Sequence, residues 1–345
     1  MGFKEFTQVQ IECFEPIASG RDALARAPTG TGKTAAFMFP LLQRLLLGQK
    51  FRAIVLEPTR ELVIQAANEC RRLAAGTDVR VVAAYGGTDP RRQEALVAAG
   101  SQVIVGTPGR VRDLLQKRVL LAAEVSSIVL DEADRLFSKQ FVEDSLHVAS
   151  QLPRSRQTLL FCVQMPAVYS PLVTRMLKPG YYEVKTGIVS GNTVRHFTII
   201  TANKPKTLAQ LLKQMPVKSV VFCSTEESAK EVTASLRFHG ITGVMTLHSH
   251  LEAVQRHSVI KRFASKGGIL VATDLAARGL HFAGVKRVYS FDVSPEFYVH
   301  RAGRTGRMRT PGECVNIAAK EELTSLKRVL SSVGVIAEAL PSPAP

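Results

Sequence analysis

The sequence predicts an α/β protein made of two similar domains, each a mostly parallel β-sheet covered by helices on both faces. Short apolar runs without polar alternation recur along the whole chain, which is typical of strands buried on both faces. Longer amphipathic segments separate these runs, and such alternation implies helices that cross over between parallel strands. The length of 345 residues favours two domains, because one domain has roughly 150 residues.

The predicted strands follow a short apolar stretch at residues 22–27. In chain order they are residues 52–58, 79–87, 101–108, 126–134 and 157–163, then 196–200, 219–225, 243–248, 268–274, 287–293 and 314–319. A polar segment rich in Gly, Ser and Thr separates the two sets and has the composition of a flexible linker. We therefore predict domains at 1–186 and 196–345, a linker at 187–195, and a frayed, proline-rich end at 336–345.

The chain is strongly basic, with a formal net charge of +16 and a sequence pI near 9.9. Residues 1–186 hold 24 basic and 18 acidic residues, and residues 187–345 hold 21 and 11, so both halves are basic. This distribution excludes a polybasic tail on a neutral enzyme. Two interpretations stay open: an ordinary basic protein, or a polyanion partner that touches both halves.

Composition excludes several classes of protein. Hydrophobic residues make up 46% of the chain, too many for a disordered protein. No apolar run approaches the roughly 18 residues that a spanning helix needs, so we expect no membrane protein. Five separated cysteines without a CxxC pair argue against a zinc site and a disulfide scaffold and for a reducing, intracellular compartment. The N-terminal segment has no apolar signal core, and the sequence does not distinguish the cytoplasm, the nucleolus and an organelle such as the mitochondrion.

A candidate phosphate-binding loop, APTGTGKT at residues 27–34, follows the first apolar stretch and precedes an apolar helical run. Gly30 and Gly32 allow a tight turn in which successive N–H groups point at phosphate oxygens beside a helix N-terminus. Lys33 can reach the β- and γ-phosphates, and Thr34 offers a hydroxyl to Mg²⁺. The alternative, a glycine-rich turn before an ordinary helix, is disfavoured because the GKT triplet stands in register after a strand.

An acidic tetrad, residues 131–134, directly follows a predicted strand. Carboxyl ends of parallel strands share the sheet edge where ligands bind, so Asp131 is expected to hold Mg²⁺ through its water shell. Glu132 is expected to orient and deprotonate an attacking water. A solvated helix start is the alternative, and the strand that leads directly into the acids weighs against it.

A basic segment, HRAGRTGR at residues 300–307, places three arginines at intervals of three in a predicted turn that leads into a helix. Arginines so spaced can converge on one polyphosphate and stabilise charge on a γ-phosphoryl group. A nucleic-acid backbone is the alternative ligand. The segment lies far from the phosphate-binding loop in sequence, so a shared ligand requires the second domain to close on the first.

Together these motifs resemble those of the DEAD-box RNA helicases of superfamily 2, over nearly the entire chain. Besides the motifs above, the chain has PTREL at 58–62, Gly86-Gly87, TPGR at 107–110, VVFCST at 220–225, Gln255-Arg256, ATD at 272–274 and ARGL at 277–280. The resemblance implies two RecA-like domains that bind ATP between them and single-stranded RNA across both. It also implies an RNA-dependent ATPase that opens short duplexes as the domains close.

The resemblance assigns roles to residues of this chain. The residues implied at the nucleotide are Gln10, which reads adenine, Thr29, Gly30, Thr31, Gly32, Lys33, Thr34 and Gly279. The implied catalytic residues are Lys33, Glu132, His300, Arg304 and Arg307, with Thr34 and Asp131 at Mg²⁺. The residues implied on the RNA path are Pro58, Thr59, Arg60, Gly87, Thr107, Pro108, Gly109, Arg110 and Thr273. Such contacts go to phosphates and 2′-hydroxyls and do not read sequence.

Three segments depart from the family pattern. Cys162-Val163-Gln164 stands where the family has Ser-Ala-Thr, a motif that couples ATP hydrolysis to duplex separation, so we expect weak unwinding relative to hydrolysis. His281 replaces an aspartate that contacts the ribose, which predicts lowered nucleotide affinity. Phe6 and Gln8 stand where prolines often precede the glutamine motif, which predicts incomplete selectivity for adenine.

Two functional hypotheses follow. The intact ATP-site residues favour an RNA helicase or ribonucleoprotein-remodelling ATPase, with ribosome assembly as the expected setting. The departures at 162–164 and 281 favour an RNA-binding clamp or assembly scaffold with weak or no hydrolysis. A generic DNA helicase is a weaker third alternative. The expected partners are single-stranded or short duplex RNA and ribonucleoproteins, and we expect no homo-oligomer.

Overall fold

The computed structural model describes residues 5–28, 30–48, 52–186, 194–277, 282–295, 297–306 and 311–341. The chain divides into two compact units, Met1–Gly187 and Ile188–Pro345. Each unit contains one seven-stranded sheet in which all neighbouring strands are parallel, with helices packed on both faces, so the predicted fold class is confirmed. Within the described ranges, no helix is long and apolar enough to cross a membrane.

The first unit is built around a sheet with the strand order β3-β4-β2-β5-β6-β1-β7. Its strands are β1 (Ala23–Arg26), β2 (Arg52–Leu56), β3 (Val81–Ala84), β4 (Val103–Gly106), β5 (Val125–Leu130), β6 (Gln157–Cys162) and β7 (Tyr182–Lys185). Its helices are α1 (Gln8–Ala18), α2 (Lys33–Leu46), α3 (Arg60–Leu73), α4 (Pro90–Ala98), α5 (Pro108–Gln116), α6 (Ala133–Leu136), α7 (Val142–Gln151) and α8 (Ser170–Met176).

The apolar runs form strands because this sheet has a hydrophobic core on each face. In β2, Ala53 and Val55 pack into the core that contains α1, α2 and α3. Ile54 and Leu56 pack into the opposite core, with residues of α4, α5 and α7. Successive side chains of a strand point to opposite faces, so a strand that is covered on both faces has no polar alternation.

The second unit repeats this architecture, with the strand order β10-β11-β9-β12-β13-β8-β14. Its strands are β8 (Val194–Ile200), β9 (Ser219–Cys223), β10 (Val244–Leu247), β11 (Ile269–Thr273), β12 (Arg287–Ser290), β13 (Gly312–Ala318) and β14 (Glu338–Ala339). Its helices are α9 (Lys204–Gln214), α10 (Glu226–Phe238), α11 (Ala253–Lys266), α12 (Asp274–Ala277), α13 (Tyr298–Ala302) and α14 (Leu323–Ser332).

Two boundaries differ from those predicted. β8 begins at Val194, so the last two residues of the predicted linker belong to the sheet, where Arg195 pairs with Glu313 of β13. The expected frayed end is also wrong for β14, which pairs in parallel with β8, and the Leu340 N–H donates to the Thr198 carbonyl over 2.9 Å. Backbone hydrogen bonds to an existing sheet edge hold this short strand although its side chains are exposed.

Candidate functional site

The phosphate-binding loop leads from β1 into the first turn of α2. Gly30 and Gly32 have φ values of 77° and 80°, a left-handed conformation that glycine adopts without a steric cost. α2 begins at Lys33, whose ammonium group donates to the carbonyls of Ala27 at 3.0 Å and Pro28 at 3.2 Å. The sequence therefore folds here as predicted, with a tight turn that brings a lysine to a helix N-terminus.

α1 is tied to this loop by two side chains. The Gln10 amide donates to the Gly32 carbonyl at 3.2 Å and accepts from the Thr7 N–H at 2.9 Å. The Thr7 hydroxyl donates to the Thr31 carbonyl at 2.8 Å. The structure thus brings the predicted adenine-reading residue into contact with the predicted phosphate loop, of which Thr29 alone lies outside the described residues.

The acidic tetrad follows β5 in the same parallel sheet, so it lies at the same edge as the phosphate-binding loop that follows β1. Burial is the largest influence on Asp131 and raises its pKa to about 6, while the nearby charge of Lys33 opposes this rise. Thr34 lies in the first turn of α2 and is half-buried. The loop lysine and the buried carboxyl therefore stand in one electrostatic environment.

Glu132 has an unusual backbone conformation. Its φ of 50° is left-handed, which costs a non-glycine residue roughly 1–3 kcal/mol and occurs preferentially at functional sites. Its N–H donates to Asp131 Oδ1 at 2.9 Å, and its carboxylate accepts from Arg135 Nη1 at 2.8 Å. The turn after β5 thus fixes the predicted water-activating carboxylate beside the predicted metal ligand.

Glu57, a buried carboxyl at this edge, was not predicted from the sequence as a site residue. It follows β2, the strand beside β5, and is 1% exposed. Burial, followed by the charges of Asp131 and Glu132, raises its pKa well above the usual range. Glu57 Oε2 accepts no hydrogen bond from any described residue. The signal in the sequence was a charged residue that ends an otherwise apolar run.

Two loops carry the predicted RNA-path residues of the first unit that the structure brings together. Arg60 begins α3 directly after Thr59, whose hydroxyl accepts from the Leu62 N–H at 3.4 Å. The Arg60 guanidinium lies over the Tyr85 ring, 5.0 Å from its centroid. Gly87 has a φ of 80°, and a Cβ added there would lie 3.3 Å from Arg60 Nη1. Arg60 and Gly87, distant in sequence, are therefore neighbours.

The TPGR segment, residues 107–110, follows β4 and opens α5, with Pro108 buried. A Cβ added to Gly109 would lie 3.1 Å from Asp144 Oδ2, so this turn has little free space. The Arg110 guanidinium donates to Gln93 Oε1 and to Glu94 Oε1, each at 3.2 Å, and its side chain is 9% exposed. Arg110 is thus engaged by α4, a contact that the sequence did not indicate.

The basic segment of the second unit differs from the prediction, because it is a short helix followed by a turn. α13 ends at Ala302, where Gly303 caps it and Gly306 adopts a φ of 64°. Arg301, 1% exposed, donates from Nε and Nη2 to the two carboxylate oxygens of Asp274, each at 2.6 Å. The expectation that three arginines converge on a polyphosphate is therefore wrong for Arg301, whose guanidinium binds an internal carboxylate.

His300 and Arg304 line a small pocket together with Asp274 and Arg301, and Thr273 directly precedes Asp274. Arg304 is 6% exposed, and its Nε donates to the carbonyl of half-buried His300 at 3.2 Å. Thr273 ends β11, and its hydroxyl accepts from the Ala276 N–H at 3.4 Å. The predictions for Gly279, His281 and Arg307 fall on residues outside the described ranges.

Comparison with known proteins covers both units. The DEAD/DEAH box helicase profile matches residues 7–167, and the helicase conserved C-terminal domain profile matches residues 203–309. The DEAD-box ATP-dependent RNA helicase CshA of Bacillus cereus (strain ATCC 10987 / NRS 248) is 37% identical over 338 residues, 95% of this chain and 64% of the relative. The chain therefore spans slightly less than two thirds of that relative's length.

Solved structures agree with this assignment. Mss116p (NTE and C-tail double deletion) bound to ssRNA and AMP-PNP superposes with a TM-score of 0.86 at 26% identity, covering 99% of this chain and 75% of that one. Dbp5 of S. cerevisiae bound to RNA and ADP BeF3 gives 0.87 at 24% identity, covering 99% and 91%, which shows the fold alone. With family profiles that match most of the sequence, and with the phosphate loop and the acidic tetrad at one sheet edge, the chain belongs to the DEAD/DEAH box helicase family.

Proposed function

We propose that the chain is an RNA-dependent ATPase that acts as an RNA helicase. The observation that carries this proposal is the edge of the first sheet, where the phosphate-binding loop with Lys33 meets Asp131 and Glu132. Its similarity to the Bacillus cereus relative, an ATP-dependent RNA helicase, supports the activity. Its similarity to Mss116p bound to ssRNA and AMP-PNP supports the two ligand classes, RNA and a nucleoside triphosphate.

The residues of this edge fit ATP and Mg²⁺. A Cβ added to Gly32 would lie 2.3 Å from Gln10 Nε2, so a side chain there would push the Gln10 amide away from the loop, and the φ of 80° at Gly32 also favours glycine. The loop offers N–H groups at the start of a 14-residue helix together with the ammonium group of Lys33, which suits a polyphosphate. Asp131 and Thr34 would hold Mg²⁺, which neutralises phosphate charge when bound.

Glu132 is the residue to which we assign activation of the attacking water. Its strained backbone and its pairing with Arg135 hold the carboxylate in one place, as a general base requires. Arg135 is 5% exposed, so the pair is shielded from solvent on that side. The role of this chain's own residues is therefore to bind the phosphates, hold the metal and accept a proton at Glu132.

The test is ATP hydrolysis with and without single-stranded RNA, for the parent protein and two variants. Glu132→Gln removes the base and is expected to lower kcat by about 100-fold or more. Glu143→Gln, at an exposed residue in the first turn of α7 and outside the strand ends that form the site, is the control and is expected to keep the parent rate. If RNA does not stimulate the parent, or Glu132→Gln hydrolyses ATP at the parent rate, the proposal is wrong.

We propose that Arg60 supplies charge to the RNA backbone at the exposed surface where its side chain neighbours Gly87. RNA affinity should then fall steeply with salt, because binding to phosphates releases counterions. Arg60→Ala should weaken binding of every RNA sequence alike and reduce the slope of log K against log salt by about one. A salt-independent affinity in the parent protein would contradict phosphate-dominated contact.

A second candidate function is an RNA clamp with weak hydrolysis, and the segment Cys162-Val163-Gln164 favours it. Cys162 and Val163 are buried, at 0% and 4% exposure, and provide no hydroxyl. We expect the parent to show a low ratio of duplexes opened to ATP hydrolysed. The triple variant that restores Ser-Ala-Thr is expected to raise this ratio. An unchanged ratio would show that these residues do not limit coupling.

A further inference from the structure

A cluster of one glutamate and two histidines lies at the edge of the second sheet. Glu226 is the first residue of α10 and follows β9 after a short turn. His248 directly follows β10, and His250 comes two residues later. β9 and β10 flank β11 in a parallel sheet, so their carboxyl ends lie at one edge and bring these three side chains together.

The donor atoms have the spacing of metal ligands. One nitrogen or oxygen from each residue lies within 4.8 Å of the others. Glu226 Oε2 lies 3.3 Å from His248 Nδ1 and also contacts His250 Nδ1. Two ligands that lie about 2.0–2.1 Å from a tetrahedral Zn²⁺ are about 3.3–3.4 Å apart, which matches the first distance. Among the described residues, no other group of three such side chains has this spacing.

His248 gives independent support, because its ring is aimed into the cluster and its Nδ1 has no hydrogen bond to any residue that the structure describes. The residue is 8% exposed, and Nδ1 is buried although Glu226 Oε2 is 3.3 Å away. Buried polar atoms nearly always have a partner, so an unsatisfied ring nitrogen directed at a carboxylate requires an explanation. A shared cation would satisfy both the nitrogen lone pair and the carboxylate.

Lys230 contributes an outer contact. Its ammonium group lies 2.6 Å from Glu226 Oε1, one turn further along α10. This contact occupies one carboxylate oxygen and leaves Oε2 directed at the two histidines. Outer partners of this kind orient metal-binding carboxylates in many sites.

We propose that Glu226, His248 and His250 form a binding site for one Zn²⁺ ion, with a fourth position open to water or another ligand. Two imidazole nitrogens and one carboxylate oxygen form one of the ligand sets found in three-residue zinc sites. Mg²⁺ prefers six oxygen ligands, so this site is chemically distinct from the proposed nucleotide-linked magnesium site of the first unit. The separated cysteines, which argue against a thiolate zinc site, have no bearing on a site without cysteine ligands.

The test uses the full chain without a histidine tag or nucleotide, dialysed against a chelator and titrated calorimetrically with Zn²⁺. The expected result is one site per chain. Glu226→Gln and His250→Ala are expected to weaken Zn²⁺ binding at least tenfold, because each removes a ligand. His257→Ala changes an exposed histidine of α11 and is the matched control, with unchanged binding. Parent-like binding by His250→Ala, or a stoichiometry well below one, would overturn the proposal.

Co²⁺ gives a second readout that does not depend on affinity alone. Tetrahedral Co²⁺ absorbs visible light far more strongly than octahedral Co²⁺, so the parent should become strongly coloured and lose the colour when Zn²⁺ is added. A weak octahedral spectrum, or displacement of Co²⁺ by millimolar Mg²⁺, would contradict the site. Glu132→Gln is expected to bind Zn²⁺ like the parent, so failure of the zinc site and failure of the ATPase proposal are distinguishable.

Discussion

The buried pair of Arg301 and Asp274 makes a sharp prediction about the second unit. Their side chains are 1% and 6% exposed, and two parallel hydrogen bonds of 2.6 Å join them. Arg301 also donates to the Ser290 hydroxyl at 2.6 Å and to the Asp292 carbonyl. The guanidinium therefore holds the end of β12 and the start of α12 against α13.

Asp274→Asn keeps the shape of the side chain and removes its charge. Breaking a buried ion pair on one side costs about 3–5 kcal/mol, because the remaining charge loses its partner in a poorly solvated place. Since each 1.4 kcal/mol corresponds to a factor of ten, the equilibrium constant for unfolding of the second unit should rise by about two to four orders of magnitude. Replacing both partners, as Asp274→Leu with Arg301→Met, should cost less than the sum of the single changes.

Hydrogen exchange read by mass spectrometry measures this loss in the second unit by itself, which matters because a chain of two units need not unfold in one step. The amides of β12 and β13 should exchange faster in Asp274→Asn, while those of β2 and β5 in the first unit serve as the internal control. A loss below about 1 kcal/mol, or strictly additive costs in the double variant, would refute the view that the pair acts as a buried, mutually dependent unit.

Three further predictions concern buried or crowded positions. Burial lowers the pKa of His196 from 6.5 to about 4. Between pH 6.5 and 4 the unfolded state binds a proton that the folded state does not, so the free energy of unfolding should fall by up to about 3 kcal/mol over this range. His196→Asn should remove this pH dependence in acid-denaturation curves. A Cβ on Gly312 would lie 2.1 Å from Thr305 Oγ1, so Gly312→Ala should cost about 1–3 kcal/mol in urea titrations. Gly86→Ala should be neutral, because no atom of the described residues would lie within 4 Å of its Cβ. Because burial raises the pKa of Glu57, its ionisation opposes folding at neutral pH. Glu57→Gln should therefore be more stable than the parent at pH 7 in thermal unfolding, and this gain should disappear below pH 4.5.

The sequence predicted the central strands well because a strand that is buried on both faces has a continuous run of apolar residues. Each residue of β2 faces one of two hydrophobic cores, apart from the half-buried first residue, so the run is apolar throughout. The edge strands β7 and β14 were missed, since each has a neighbour on one side only and its side chains are largely exposed. Their pairing depends on backbone hydrogen bonds to a sheet that is assembled from distant parts of the chain.

Within the candidate site, the sequence predicted the position of those residues that directly follow a buried strand. The phosphate-binding loop and the acidic tetrad each follow a buried strand, and parallel strands bring both to one edge. The partners of the arginines were not predictable, because they come from other elements. Arg110 is engaged by Glu94, and Arg301 by Asp274, and neither acid stands at a spacing that a local pattern would reveal.

The departure at residues 162–164 acquires a more specific meaning from the register of β6. Leu159 and Phe161 face one hydrophobic core, while Leu160 and Cys162 face the other, so the Cys162 thiol is part of the packing. A serine at this place would bury a hydroxyl near the Ala25 carbonyl, which lies 4.0 Å from the Cys162 sulfur. Gln164 is the only exposed residue of the three, so it is the position at which a polar side chain can make contacts outside this unit's hydrophobic core. If coupling depends on such a group, the Gln164→Thr change should account for most of the effect of restoring Ser-Ala-Thr.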